Sequence, residues 1–336
     1  MHEGTKRLLF LGGLLAAWLL PGLAILAVLL GRLRPSYQDG WRMRLTSATG
    51  MHAEFPALEH PLPRTVRLPR ITFRDPLRDD IQADCESLVV RHAASHEWSV
   101  RTETVLLSTL AIRAWADRLA AELTLPRHDP AASWRISADR IVVSRRDEVL
   151  WRGASFLGWT AVQDGLPVFR ATWRAAEDDS RLPPISLQIG VRRGNIGGTI
   201  GGLERTAMLD TGGRYLPLEL CRAVLGRNPR VELDAQADFK GRILVRGTQD
   251  SPAGTPFGPD PLLDETIVSG ELRCAWGPDS GVPDRRPRSE RPENDPPAVI
   301  RVSMDRLRLQ NGRAVDGKAT LLEARGASPD ILERLF

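Results

Sequence analysis

Lysine is close to missing from this chain. Lys6, Lys240 and Lys318 stand against a combined Lys and Arg total of 46, so the basic charge is almost wholly arginine. Acids number 42, the formal net charge is only +4, and the arginines are scattered among the acids. Nucleic-acid binding asks for a concentrated basic stripe with stacking aromatics, so nucleic acid is excluded as the expected partner. Cysteine is also scarce. Cys85, Cys221 and Cys274 lie too far apart for C-x2-C metal spacing, and each sits in an apolar or strand-like stretch. That context reads as buried, inert thiol, with one disulfide plus a free thiol as the alternative in an oxidising compartment. His92 and His96 have i, i+4 spacing, but their surroundings, LVVRHAASHEWSV, read as strand, turn, strand, which places the pair at a loop. No G-x-S-x-G, Walker loop or helix-opening G-x-G-x-x-G occurs. Gly197 to Gly202 is glycine-rich but has no following helix with lysine, so it reads as a hairpin loop or bulge. No cofactor, no metal and no catalytic centre are therefore expected.

What is present begins with an uncharged apolar run from Leu8 to Leu30. At 1.5 Å per residue it is long enough to cross a hydrocarbon core of roughly 30 Å. Lys6 and Arg7 precede it and Arg32 and Arg34 follow it, at the two interfaces where basic residues belong. Trp18 and Pro21 lie within it, and a proline kink is tolerated in lipid. The alternatives are a cleaved signal and a soluble core helix. The run is longer than a signal core, and the GRLRPSY after it has no small-x-small cleavage site. Residues 1–34 are thus expected to be a single-pass anchor in the inner (cytoplasmic) membrane, with the bilayer as partner. Basic residues near the helix are denser after it (Arg32, Arg34, Arg42, Arg44), which taken alone favours a cytoplasmic body. A short basic tail before a first helix commonly stays in the cytoplasm, and the body lacks a cytosolic enzyme signature, so an extracytoplasmic body is expected.

After the anchor, spacing of Tyr37, Trp41, Leu45 and Ala48 predicts an amphipathic helix within residues 35–50, closed by Gly50. Residues 51–336 then change to period-two alternation. It is read at Thr65–Leu68, Arg70–Arg74, Trp98–Leu106, Ala120–Leu125 and Trp134–Ser137. It returns at Val168–Trp173, Ser186–Val191, Arg242–Val245, Thr266–Trp276, Val299–Leu309 and Ala319–Glu323. Each such strand has one dry and one wet face. Turn signals fall between them, among them Asp164-Gly165 and Asn311-Gly312. Two further helices are expected, Pro217–Leu225 and Ser328–Leu335, and long mobile loops near 248–264 and 277–297, rich in proline, glycine and charge. The fold class expected is mostly β: an N-terminal transmembrane helix, then about 14 to 18 strands in a curled, largely antiparallel sheet, groove-like or sandwich-like, with few short helices.

A single anchor, a short helix ending in Thr49-Gly50, and LEHPLPRTVRLPRITFRDP together resemble the start of AsmA-like envelope proteins. The closing IRVSMDRLRLQNGRAVDGKATLLEARGASPDILERL is similar to their C-terminal rungs. The resemblance rests on texture and element order over most of the chain. It implies an exported curled sheet with a dry groove, associated with lipid handling or envelope maintenance, in a body much shorter than the large members have. A phospholipid ligand follows from it, and protein partners are left open. The residues alone leave two readings of the apolar face: a slot for acyl chains, at about 0.8 kcal/mol per buried methylene, or a closed core under a tethered scaffold.

A different chemistry is suggested by Ala207-Met208-Leu209-Asp210-Thr211-Gly212-Gly213, which resembles the active-site segment of dimeric aspartic proteases. There the turn presents one carboxylate to its mate across a water, the two sharing a proton. Asp210, Thr211 and Gly212 are the residues such an activity would use. Gly213 and Arg214 depart from that family's pattern, and no second Asp-Thr-Gly or Asp-Ser-Gly occurs. The other reading is a plain turn between a strand and the Pro217 helix.

Overall fold

The computed structural model describes residues 35–75, 78–94, 97–124, 133–145, 148–176, 181–196, 199–225, 236–248, 265–276, 298–310 and 313–325. The Leu8–Leu30 run, His96, the Asn311-Gly312 turn, the Ser328–Leu335 helix and almost all of the two expected loops lie outside them. Among the described residues no helix is long and apolar enough to cross a membrane. The chain divides into two compact units, the first ending at Glu54 and the second starting at Phe55.

In the first unit, α1 (Pro35–Thr49) leads into the short strand β1 (His52–Glu54). Gly50 takes φ 72° and returns its N–H to the Thr46 carbonyl at 2.8 Å, the left-handed stop that its position after the helix predicts. Thr46 Oγ1 accepts from Ala53 N at 3.2 Å and so ties the strand back to the helix.

The second unit is an open, largely antiparallel sheet with few helices. Its strands are β2 (Thr65–Asp75), β3 (Arg78–Ala94), β4 (Glu97–Ser108), β5 (Ser133–Arg145), β6 (Glu148–Gln163), β7 (Leu166–Ala175), β8 (Ile185–Ile196) and β9 (Thr199–Asp210), followed by β10 (Leu216–Pro217), β11 (Gln236–Thr248), β12 (Glu265–Trp276), β13 (Ala298–Gln310) and β14 (Arg313–Arg325). From β2 to β14 they pair in chain order, except that β10 lies aside and pairs only with β11. Asp164 and Gly165 both have positive φ in the turn from β6 to β7, as an Asp-Gly hairpin requires.

One join is not antiparallel. β4 and β5 run parallel, and the crossover between them carries α2 (Thr109–Thr124). The alternation read at Ala120–Leu125 is corrected here: through Thr124 the segment is helical. Six residues of Ala, Glu, Leu and Thr fit a period of two by chance, whereas TLAIRAWADRLAAELT as a whole is rich in strong helix formers. Ser108 Oγ accepts from Ala111 N at 3.1 Å and caps the first turn. α2 packs on β3, β4, β5, β7 and β8 and against α3 (Leu218–Val224), the helix expected after Pro217.

The inner face is carried by side chains such as Leu68, Ile71, Leu88, Ala138, Ile141, Ile185, Leu209, Phe239 and Val302, all buried. Its alternation slips along one line. Leu68 to Ile71, Cys85 to Leu88 and Ala138 to Ile141 are each three residues apart rather than two, and on β4 Thr102 is followed by the adjacent buried pair Thr104 and Val105. Pro69, Ser87, Glu103 and Asp139, at these slips, stand side by side in register across β2 to β5, and Ser155 of β6 is beside Asp139. Ser87 and Ser155 take φ 55° there. Aligned slips keep the same face dry on both sides of the line while the strand pairing runs on without a shift. This line is a crease, and it divides the inner face into two ends.

Candidate functional site

At one end, toward the starts of β4 and β5, the inner face carries a row of rings. Because those strands run parallel, Trp98 stands beside Trp134, and the β3–β4 register sets His92 beside Trp98. His92 and Trp98 stack at 4.4 Å and 29°, Trp98 and Trp134 at 5.6 Å and 14°. Trp134 N donates to Thr160 Oγ1 at 2.8 Å, which carries the row onto β6. All three rings are only half-buried, as are Val100 and Ile136 in the next inward row. Here the dry face meets water.

Beyond the crease it does not. Ile71 and Ala83 are 0 % exposed and Val143 is 1 %. Trp115 of α2 sets an edge against Phe73 of β2, with centroids 5.7 Å apart at 81°. Thr109 Oγ1 donates to Glu219 Oε1 at 3.1 Å, and Arg145 Nη1 lies 3.4 Å from Glu219 Oε2, so the start of α2, the end of β5 and α3 are bound together. Leu220, Cys221, Ala223 and Val224 of α3 are buried as well.

One charged cluster enters this end. Burial pushes the Asp117 carboxyl up to about 6, while Arg113 and Arg205 pull in the opposite direction. Burial in turn lowers Arg205, and Asp117 partly restores it. Asp117 is on α2 and Arg205 on β9, so the helix that touches Phe73 of β2 also carries a carboxyl within electrostatic reach of β9.

The Asp-Thr-Gly segment closes the end of β9. Asp210 Oδ1 accepts from Gly212 N at 3.0 Å, and Oδ2 accepts from Arg242 Nη2 at 2.8 Å and Nε at 3.2 Å. Thr211 is fully buried: its N–H donates to the Gly241 carbonyl and its Oγ1 accepts from Gly241 N, both at 2.9 Å. Gly212 takes φ 61° against the Pro184 carbonyl, where a Cβ would stand at 2.9 Å. Arg214, nearly buried, donates to the carbonyls of Leu182, Pro183 and Gly212. These residues lace one turn to the β7–β8 connection and to β11.

Among the described residues no group of His, Cys, Asp and Glu could hold a metal ion, and His92 belongs to the aromatic stack. Cys85, Cys221 and Cys274 are free and buried, as their sequence context predicts. Burial pushes Cys85 and Cys221 up to about 12 and Cys274 up to about 11, with nearby acids adding to the effect.

No family model, curated protein or solved structure matches this chain.

Sequence reasoning places Trp98 and Trp134 at the starts of strands but not side by side. Their meeting depends on a parallel join made by α2, whose last residues alone are expected, as a strand, while Thr109–Leu119 are assigned no element. Asp117 lies in that unassigned part of the helix and carries no local signal of its partners.

Proposed function

We propose that this chain is a membrane-anchored, non-catalytic, extracytoplasmic envelope protein that binds phospholipid acyl chains at the aromatic end of its inner face. The observation that carries this reading is the half-exposed row His92–Trp98–Trp134, continuous with a dry interior. Aromatic rings with an apolar body and a polar tip suit a boundary where acyl chains enter from a wet side. A curled sheet is the form this reading needs, and the reach of α2 supports it. In a flat sheet β2 and β9 would stand about 34 Å apart at 4.8 Å per strand. Trp115 and Asp117, two residues apart on one helix, nevertheless reach Phe73 on β2 and the field of Arg205 on β9. The anchor is read from Leu8 to Leu30, including Trp18 and Pro21. The AsmA-like resemblance implies the same class of function.

The test is photo-cross-linking of the full-length protein in liposomes that contain a phospholipid with a diazirine on its acyl chain. Adducts mapped to the peptides holding Trp98 and Trp134 are expected. Labelling restricted to the Leu8–Leu30 region would reject the groove.

A second reading, a tethered scaffold whose sheet is a closed core, is favoured by the sealing of the end beyond the crease under α2 and α3. It is the reading left if the aromatic end takes no label. A dimeric aspartic protease built on Asp210 has least support, because both carboxylate oxygens already serve the turn and Arg242.

A further inference from the structure

The outer face behind the aromatic rings carries a second row, of another kind. Residues adjacent to inner-face side chains point to the opposite side of a strand. Arg91 precedes His92, Ser99 follows Trp98 and Arg135 follows Trp134, so these three belong to the outer face. The register sets them side by side and extends the row through Trp159 and Arg170 to Gln188. From β3 to β8 it reads Arg, Ser, Arg, Trp, Arg, Gln, without an acid. Its arginines recur on every second strand, about 9.6 Å apart at 4.8 Å per strand. From β3 to β7 the row lies within four residues of the strand ends on the aromatic side. The rim at this end therefore has rings on its inner side and cations on its outer side.

Other outer rows mix their charges. Beyond the crease Glu86 lies in register between Arg70 and Thr104, and Asp84 between Thr72 and Leu106. On β11 to β13, Arg242 meets Asp210 at 2.8 Å, Arg246 lies 3.5 Å from Glu265, and Arg301 and Arg308 are held by Glu271 and Glu265. In the acid-free row, Arg91 and Arg135 are exposed and have no acidic partner among the described residues. Arg170 donates to Gln163 Oε1 at 2.9 Å, a neutral amide that leaves its charge uncompensated. The acid nearest the row along β4 is Glu97, exposed at the start of that strand. Half-buried Trp159 stands between Arg135 and Arg170, and Leu157, on the same face of β6, is 38 % exposed.

Guanidinium groups bind phosphate through paired N–H donors, and tryptophan with leucine suits the boundary between headgroup and acyl chain. A surface that offers phosphates at many points beside apolar chains is an anionic bilayer, and basic residues are drawn to it. We propose that the outer rim of β3 to β7 docks on the anionic phospholipid headgroups of a bilayer through Arg91, Arg135 and Arg170. Ser99 Oγ donates to a phosphate held between Arg91 and Arg135, and Trp159 enters the interface. Docking brings the aromatic mouth to a lipid surface; in serving that mouth it rests on the acyl-binding reading, while the contact itself is separable from it.

The test uses full-length protein reconstituted in liposomes of phosphatidylcholine, with or without phosphatidylglycerol. Ser133→Cys, on the outer face beside Arg135, takes a fluorophore; the three native thiols are buried and stay unlabelled. A lipid with a nitroxide on its headgroup is the quencher. Quenching is expected in the anionic liposomes, little in the neutral ones, and relief by added salt. Arg135→Gln should lower the docked-to-undocked ratio about fivefold. Arg91→Glu with Arg135→Glu should abolish quenching, and a label at Ser303→Cys on β13 should stay unquenched throughout. Equal quenching in neutral liposomes, or indifference to the double change, would overturn the proposal. So would a Ser133→Cys label unquenched in both lipids, which would leave an acidic protein as the partner of the row. Acyl-chain adducts at Trp98 and Trp134 beside an unquenched label would keep the acyl slot and remove the docking surface. Quenching without such adducts would keep the docking surface and remove the slot.

Discussion

Gly241 on β11 and Gly270 on β12 are register partners whose backbones touch. A Cβ on Gly270 would stand 2.8 Å from the Gly241 Cα and would overlap the Lys240 carbonyl; a Cβ on Gly241 would stand 2.6 Å from the Gly270 Cα. Their φ values, 140° and 154°, are also ones that side chains rarely adopt. Gly241 is the residue that Thr211 holds with two hydrogen bonds, so the close approach is tied directly to the Asp-Thr-Gly turn.

Gly241→Ala and Gly270→Ala are each expected to cost about 3 kcal/mol or more, because backbone must move as well as φ. Gly213→Ala serves as control: φ is 81° but nothing lies within 4 Å of the added Cβ. It should cost only about 1 kcal/mol. Urea denaturation of the three variants measures the difference.

The crease makes its own prediction. Ser87 stands at φ 55°, where glycine is free of strain and a β-branched residue is not. Ser87→Gly should change stability by less than about 1 kcal/mol, whereas Ser87→Val should cost about 2 kcal/mol. Equal effects from the two would mean that the slip is not held by this residue.

Trp98 and Trp134 stack at 5.6 Å, so their contributions should not add. A double-mutant cycle with alanine is expected to give a coupling of about 1 kcal/mol. Lipid photolabelling should fall in both single variants while the far-ultraviolet circular dichroism stays unchanged.

Asp117 has a defined pH signature. Burial raises its folded value to about 6, above the 3.8 of a free aspartate, so the folded state binds this proton more tightly than the unfolded state. Its effect on stability is absent below about pH 4 and grows as a penalty up to about pH 6. Above that it levels at about 3 kcal/mol. Asp117→Asn should therefore gain stability relative to the parent between pH 4 and 7. A difference that is flat with pH would refute the assignment.

The three thiols should ignore Ellman's reagent in the native protein and react together on unfolding, since each is buried and held protonated. Prompt reaction of Cys85 would show that the β3 side of the inner face is open.

Much of the fold is legible along the chain. Asp164-Gly165 and Gly50 announce their turns because positive φ is a local demand that few residues meet. The crease is half legible: Thr65–Leu68 and Arg70–Arg74 read as two alternating runs with a break at Pro69, and the break is the slip. α2 is not legible: its end, Ala120–Thr124, fits either period, and Thr109–Leu119 is assigned no element, so the aromatic row that depends on the parallel join is not legible either.

The sequence by itself determined that this protein is mostly β, that its strands have a dry and a wet face, and where several of them turn. Those properties depend on side-chain period and turn chemistry within a few residues. Only the tertiary structure decided that β4 and β5 run parallel, that Trp98 and Trp134 stack, that the slips align into one crease, and that Arg91, Arg135 and Arg170 fall into one acid-free row. Those facts depend on register between strands and on a crossover helix. Register is set by the summed burial of whole faces, a quantity that no local stretch of sequence contains.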